Sequence, residues 1–147
     1  MYQFSQVSND RIATVHKDLQ SVVRLALRIS SRRHDGGVDF SIPAFGGLRT
    51  AEEQNELFKK GVSKADGYEK PSYHQTGKAL DVIPYLTAEG IKGNAIYSNK
   101  ISKQKRELAF HIVAACMLEA ANRLGVKVEW GGNWQSFNDS PHWQLGK

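Results

Sequence analysis

The chain has 147 residues, enough for one domain with a sizeable core, and its apolar (40%) and charged (24%) fractions are those of an ordinary globular protein. No apolar run approaches the roughly 20 residues of a membrane-spanning helix, and the single cysteine, Cys116, excludes an intramolecular disulfide and a multi-thiolate metal site. A formal charge of +5 and a pI near 9.4 suit a polyanionic partner without choosing among nucleic acid, anionic lipid and a phosphate-bearing envelope.

In chain order, Asn9 or Asp10 is placed to cap a first helix whose apolar positions are Ile12, Val15, Leu19, Val22, Val23, Ala26 and Ile29. Ser30 to Gly37 reads as a loop. Val38 to Ile42 alternates apolar and polar residues and predicts a strand. A second helix begins at Thr50, where Thr50 and Glu53 have the spacing of a capping box, and stops at Gly61. Gly61 to Ser72 is a polar loop. Ala79 to Tyr85 has the apolar character of one buried strand, and Thr87 to Lys100 reads as an irregular connection with room for a short hairpin.

The longest helix is expected from about Ser102 to Leu124, with Gly125 as its stop and Cys116 in its apolar interior. Val126 to Trp130 alternates as a strand, Gly131-Gly132 breaks it, and His142 to Leu145 forms a short last strand. The sum is an α+β fold, a small antiparallel sheet packed with about three helices, in a single domain over residues 1–147. The start, Met1 to Gln6, has no basic stretch leading into an apolar block, so a secretory signal is not expected.

Chemistry concentrates in two places. His74 and Asp81 lie in Ser72-Tyr73-His74-Gln75-Thr76-Gly77-Lys78-Ala79-Leu80-Asp81, and Asp139 and His142 lie near the C-terminal end. Two imidazoles and a carboxylate are the minimum set that holds a zinc ion and leaves a position open for water. On a strand, Gly77, Ala79 and Asp81 share one face, and so do His142 and Gln144. For Asp139 and His142 both to face the ion the chain must turn between them, and Asn138-Asp139-Ser140-Pro141 has the composition of a turn.

Thus His74, Asp81 and His142 are the expected metal ligands. Asp139, held off the ion, is the expected general base. Arg49, just ahead of the second helix, is the candidate cation for a developing oxyanion. His16, His34 and His111 lack such companions and read as surface or hydrogen-bonded residues. The short basic groups Arg32-Arg33, Lys59-Lys60 and Lys100 to Arg106 read as solvated faces.

These motifs resemble the zinc D,D-carboxypeptidase and L-alanyl-D-glutamate endopeptidase family, most closely its small phage endolysins. Ser72, His74, Gly77, Ala79 and Asp81 match one family motif, Asp139 and His142 the closing motif, and Gly47, Arg49 and Thr50 a third, with Gln54 following. Trp130-Gly131-Gly132-x-Trp134 is similar to the endolysin branch. The resemblance implies a Hedgehog/D,D-peptidase-like domain, a zinc cofactor, a catalytic Asp139 and substrate or oxyanion contact from Arg49. Ser72, Gln54 and Trp134 become candidate substrate contacts.

It also implies hydrolysis of the L-alanyl-D-glutamate bond in bacterial peptidoglycan stem peptides. The enzyme is expected as a monomer with no separate wall-binding domain, no membrane insertion and no nucleic-acid partner. It would accumulate in the host cytoplasm and reach the wall after holin-type release. Many carboxypeptidase relatives carry Glu where this chain has Asp139, which tilts the reading toward an endopeptidase. The alternatives are a D-alanyl-D-alanine carboxypeptidase and a non-catalytic zinc-stabilised wall-binding module.

Overall fold

Ser5, His16, Thr50 and Ser102 each turn a side-chain acceptor onto a backbone N–H at the start of a helix. The four helices they open are α1 (Gln6–Ile12), α2 (Lys17–Ser31), α3 (Ala51–Lys59) and α4 (Lys103–Leu124). Five short strands accompany them in this computed structural model, which describes residues 1–147: β1 (Asp39–Ser41), β2 (Ala79–Asp81), β3 (Ile83–Tyr85), β4 (Val128–Trp130) and β5 (His142–Leu145).

The single first helix expected from the apolar spacing is two helices. Thr14 turns its hydroxyl onto the Arg11 carbonyl (2.6 Å), and the His16 N–H donates to the Gly77 carbonyl (2.8 Å). The His16 ring Nδ1 then accepts the Asp18 N–H (3.0 Å) and starts α2. The helical stretch also begins earlier than expected, because Ser5 rather than Asn9 or Asp10 supplies the first cap. Asn9 is used elsewhere, bonding the Phe4 carbonyl and Arg24.

α2 and α4 pack on each other through Leu19, Val22, Val23, Ala26 and Leu27 on one side and Ala109, Val113, Cys116, Met117 and Ala120 on the other. These residues belong to one buried cluster that continues onto Phe40, Ile42, Leu80, Val82, Trp130 and Trp143. Burial of each large aliphatic side chain contributes about 1.5–3 kcal/mol, so this cluster fixes the platform on which the sheet rests.

The segment expected as one strand from Ala79 to Tyr85 changes partners midway. β2 lies in a three-stranded antiparallel sheet of order β2-β5-β4, whereas β3 pairs antiparallel with β1. Val82 is the crossing point, and its N–H donates to the Pro141 carbonyl (2.9 Å). Pro84, which has no N–H to give, sits in the two-stranded pair where every strand is an edge.

No hairpin forms between Thr87 and Lys100. Asn94 organises that loop instead: its Oδ1 accepts from the Leu86 and Ile96 N–H groups, and its Nδ2 donates to the Pro84 carbonyl.

The three-stranded sheet has two chemically distinct faces. Leu80, Trp143 and Trp130 are register partners on the core side, where the two indoles stack with centroids 5.8 Å apart and planes at 13°. By the same alternation Ala79, Asp81, His142, Gln144 and Glu129 occupy the opposite side.

Candidate metal centre and cleft

His74 lies in a 3₁₀ turn, Tyr73–Thr76. Ser72 opens the turn by accepting the His74 N–H, Gln75 returns a bond to the Ser72 N–H, and Gly77 closes it at φ +72°. That left-handed corner suits glycine. It turns the chain directly into β2, and two residues after Ala79 comes Asp81, register partner of His142 on β5.

The three side chains meet. His74 Nε2 is 3.2 Å from Asp81 Oδ1 and 3.2 Å from His142 Nδ1, and His142 Nδ1 is 3.5 Å from Asp81 Oδ1. His74 is 1% exposed and His142 7% exposed. The His74 Nδ1 lies 2.9 Å from the Gly47 carbonyl, which can only accept, so Nδ1 carries the proton and Nε2 presents its lone pair. On the far side of His142, Nε2 lies 2.9 Å from Gln144 Oε1.

With both rings neutral, two nitrogen lone pairs and a carboxylate oxygen converge on one point, all within 4.8 Å of one another. Three acceptors facing each other without a donor repel. A cation between them removes that repulsion, so His74, Asp81 and His142 fit a metal ion. Without a cation, a second proton on a ring relieves the same repulsion by donating to the Asp81 carboxylate. Burial favours the neutral form of Asp81, yet bonds from His142 and His74 and the charge of Arg49 hold its carboxyl well below the usual range. Burial likewise opposes a proton on His142, and the Asp81 carboxylate outweighs it, raising His142.

Arg49 is nearly buried, with its side chain 10% exposed. Its Nη2 donates to Asp81 Oδ2 (3.0 Å), its Nε to the Phe45 carbonyl (2.6 Å) and its Nη1 to Gln54 Oε1 (2.9 Å). Burial lowers its pKa, and Asp81, Asp139 and Glu53 partly offset this. Of five N–H groups on the guanidinium, three are used by the protein.

Gln54, which the sequence groups with substrate contacts, lies behind Arg49 and is fully buried. Its amide nitrogen donates to Ser63 Oγ (2.7 Å) and the Ala65 carbonyl (2.9 Å), so no polar group is left for a ligand. The cause is simple: α3 turns this position onto the Ser63–Ala65 loop, whose hydroxyl and carbonyl take up its amide.

Asp139 sits on the turn expected from Asn138 to Pro141. Its N–H donates to the Gly131 carbonyl (2.9 Å) and its own carbonyl accepts the His142 N–H (3.1 Å). Trp130 Nε1 anchors the turn by donating to the Ser140 carbonyl (2.7 Å). The Asp139 carboxylate lines the cleft but lies outside the three-ligand group. Burial, then the charge of Asp81, raises its pKa, against the pull of His142, His74 and Arg49.

A cleft of about 440 Å³ runs over these groups. Ser72 and Trp134, candidate substrate contacts in the sequence, line it, Trp134 with its ring 5.1 Å from that of His142. Tyr97, Lys64 and Phe137 also line it and were not singled out in the sequence. Lys64 Nζ lies 5.6 Å from the Phe137 ring centroid. All three sit on irregular loops, where no periodicity marks a side chain as facing a site. His111, by contrast, is exposed on α4 and meets Trp130 edge-on, as a surface residue does. His16 serves as the α2 cap and His34 is exposed.

Comparison with known proteins adds independent information. A family model described as phage L-alanyl-D-glutamate peptidase matches residues 1–144. The chain is 30% identical over 138 residues to the L-alanyl-D-glutamate peptidase of Escherichia phage T5, covering 94% of this chain and 85% of the relative. It is 30% identical over 139 residues to the peptidoglycan L-alanyl-D-glutamate endopeptidase CwlK of Bacillus subtilis (strain 168), covering 89% and 75%. The crystal structure of the Serratia marcescens L-Ala D-Glu endopeptidase ChiX superposes with a TM-score of 0.71 at 30% identity, over 98% of this chain and 90% of that one. The match over almost the whole length, in sequence and in fold, places the chain in the phage L-alanyl-D-glutamate peptidase family.

Proposed function

We propose that this protein is a zinc-dependent endopeptidase of the bacterial wall that hydrolyses the bond between L-alanine and D-glutamate in peptidoglycan stem peptides. One observation carries the reading. The lone pairs of His74 and His142 converge with Asp81 on a single point, and a carboxylate unused in any hydrogen bond, Asp139, stands in the same cleft. Two neutral imidazoles and one carboxylate suit zinc among the common divalent ions. A bound zinc ion supplies Lewis acidity, making water a nucleophile at neutral pH and polarising the scissile carbonyl.

The remaining work falls to the chain itself. Asp139 accepts the proton lost by the attacking water and returns it to the departing D-glutamate amine. Burial and the Asp81 charge raise its basicity, which favours uptake of that proton. Arg49 keeps Asp81 oriented and ionised, and its two unused N–H groups supply positive potential to the oxyanion side of the cleft. Trp134, Tyr97 and Phe137 form apolar walls that hold the stem peptide and limit water.

The net charge of +5 suits an anionic envelope. No helix is long and apolar enough to cross a membrane. In this reading the protein acts as a monomer and meets its substrate after release across the host membrane, as an endolysin does.

Digestion of defined muropeptides, with and without a chelator, tests the proposal. Mass spectrometry should find new D-glutamate amino termini that disappear with the chelator and return with zinc. Release of free D-alanine would assign a carboxypeptidase instead, and wall binding without turnover would reduce the protein to a binding module.

A further inference from the structure

We infer that Gln144 is a positioning residue for His142 and that Glu129, on the neighbouring strand, sets the direction in which its amide points. The inference rests on the metal-centre reading above and deepens it. His142 and Gln144 are two apart on β5 and share a face, and Glu129 is the register partner of Gln144 on β4. Gln144 Nε2 lies 3.1 Å from Glu129 Oε2, and Gln144 Oε1 lies 2.9 Å from His142 Nε2.

The direction of these bonds follows from what each group can do. A carboxylate only accepts, so Glu129 takes an N–H from Gln144. That leaves the amide oxygen toward His142, and an amide oxygen also only accepts. His142 Nε2 therefore keeps the proton, and Nδ1 is left with its lone pair toward Asp81 and His74. The polarity of an exposed carboxylate is thus transmitted through one amide to a ligand atom.

The two histidines are secured by different means. The His74 tautomer depends on the Gly47 backbone carbonyl, which cannot turn over. The His142 tautomer depends on a side-chain amide, which can. Rotated by half a turn, the Gln144 amide would offer an N–H to Nε2 and favour a proton on Nδ1, the form that cannot ligate. Glu129 disfavours that state because its oxygens would then face the amide oxygen.

A charge exchange tests this. Glu129→Lys places a donor where the acceptor was, draws the amide oxygen away from His142 and should weaken zinc binding about tenfold or more, as loss of outer ligand partners generally does. Combining Glu129→Lys with Gln144→Glu should restore affinity, since the new carboxylate accepts from His142 Nε2 and pairs with the new lysine. Affinity is read by chelator competition, and in the metal-free protein with its rings neutral the His142 Nε2–H resonance should be present in the wild type, lost in the single variant and regained in the double.

Repeating the titration at high salt separates this from bulk charge, because a through-solvent effect is screened and a tautomer effect is not. Unchanged affinity in Glu129→Lys, or no recovery in the double variant, overturns the inference. A wild-type protein that binds no zinc would instead overturn the metal-centre reading itself.

Discussion

Asp81 and His142 are direct partners across the antiparallel β2–β5 pair, so their ligand atoms leave one face of one sheet. Two of the three candidate ligands are thereby placed by backbone hydrogen bonds before any ion arrives. His74 is added by a turn that Ser72 and Gly77 close locally. Neither device needs a metal to form. Zinc removal should therefore loosen the site and lower the melting temperature without unfolding the chain. With zinc at a hundredfold excess over its dissociation constant, the loss is about 2.7 kcal/mol, or roughly 5–10 °C for a domain of this size. Calorimetry with and without chelator checks this. Complete unfolding on chelation would mean that the ion, not the apolar cluster, holds the sheet together.

Asp139 stands apart from the ligand group, and this separation makes its role testable. Asp139→Asn should leave zinc affinity within a few-fold of the wild type while lowering turnover of muropeptides by about 10²- to 10⁴-fold, the usual range for a lost general base. Zinc titration and initial rates on the same preparation are the measurements. A parallel loss of zinc binding would make Asp139 a ligand and leave the reaction without its proposed base.

The ionisation of Asp139 carries a sign that the metal should reverse. In the metal-free protein burial and the Asp81 charge raise its pKa. A group raised in the folded state contributes stability at pH below its unfolded value and loses that contribution as pH rises through the folded value. A divalent cation nearby acts in the same direction as Arg49 and favours the carboxylate. NMR titration of the Asp139 side chain should show a midpoint raised from the ordinary aspartate value that falls when zinc is added. A midpoint indifferent to zinc would place the carboxylate too far from the ion to serve it.

Local rules in the sequence account for much of this site. Thr50 and Glu53 form the capping box their spacing announces, Ser102 and Gly125 bound the long helix, and period-two alternation puts Asp81, His142 and Gln144 on one face. What could not be read was set by distant partners. The break between α1 and α2 depends on the Gly77 carbonyl, and the division of Ala79 to Tyr85 into two strands depends on Pro141. The family resemblance places Gln54 among substrate contacts, after the Gly47, Arg49 and Thr50 motif. Its burial is decided by Ser63 and Ala65, on a loop with no periodic pattern.

Gln54 should matter despite touching no substrate. Gln54→Ala leaves Arg49, Ser63 and the Ala65 carbonyl each short of a partner in a partly buried setting, and a fully buried unsatisfied group would cost about 1–3 kcal/mol. Freed from Gln54, the guanidinium should swing away from Asp81. The expected result is a less stable protein with reduced turnover and nearly normal zinc binding. Denaturant titration and kinetics report the two effects separately, and full activity in a destabilised variant would confine Gln54 to structural support.

Gly131 controls where Asp139 lies, and a single methyl group tests how closely. The Gly131 carbonyl accepts the Asp139 N–H, while a Cβ at Gly131 would run into the Asp139 carbonyl and come within 3.1 Å of the Asp139 and His142 Cβ atoms. The clash is with backbone, so a rotamer change cannot relieve it. In Gly131→Ala the turn must move outward, carrying the carboxylate with it. A displacement of about 1 Å at a catalytic group costs on the order of 10²-fold in rate. The loss should appear mainly in kcat, with KM rising only as far as Trp134 and Phe137, on the same segment, move with the turn. His142 is held by the β2 ladder as well as by this turn, so zinc affinity should fall less than turnover does. Equal losses in both would show that the turn positions the ligand as strongly as the base.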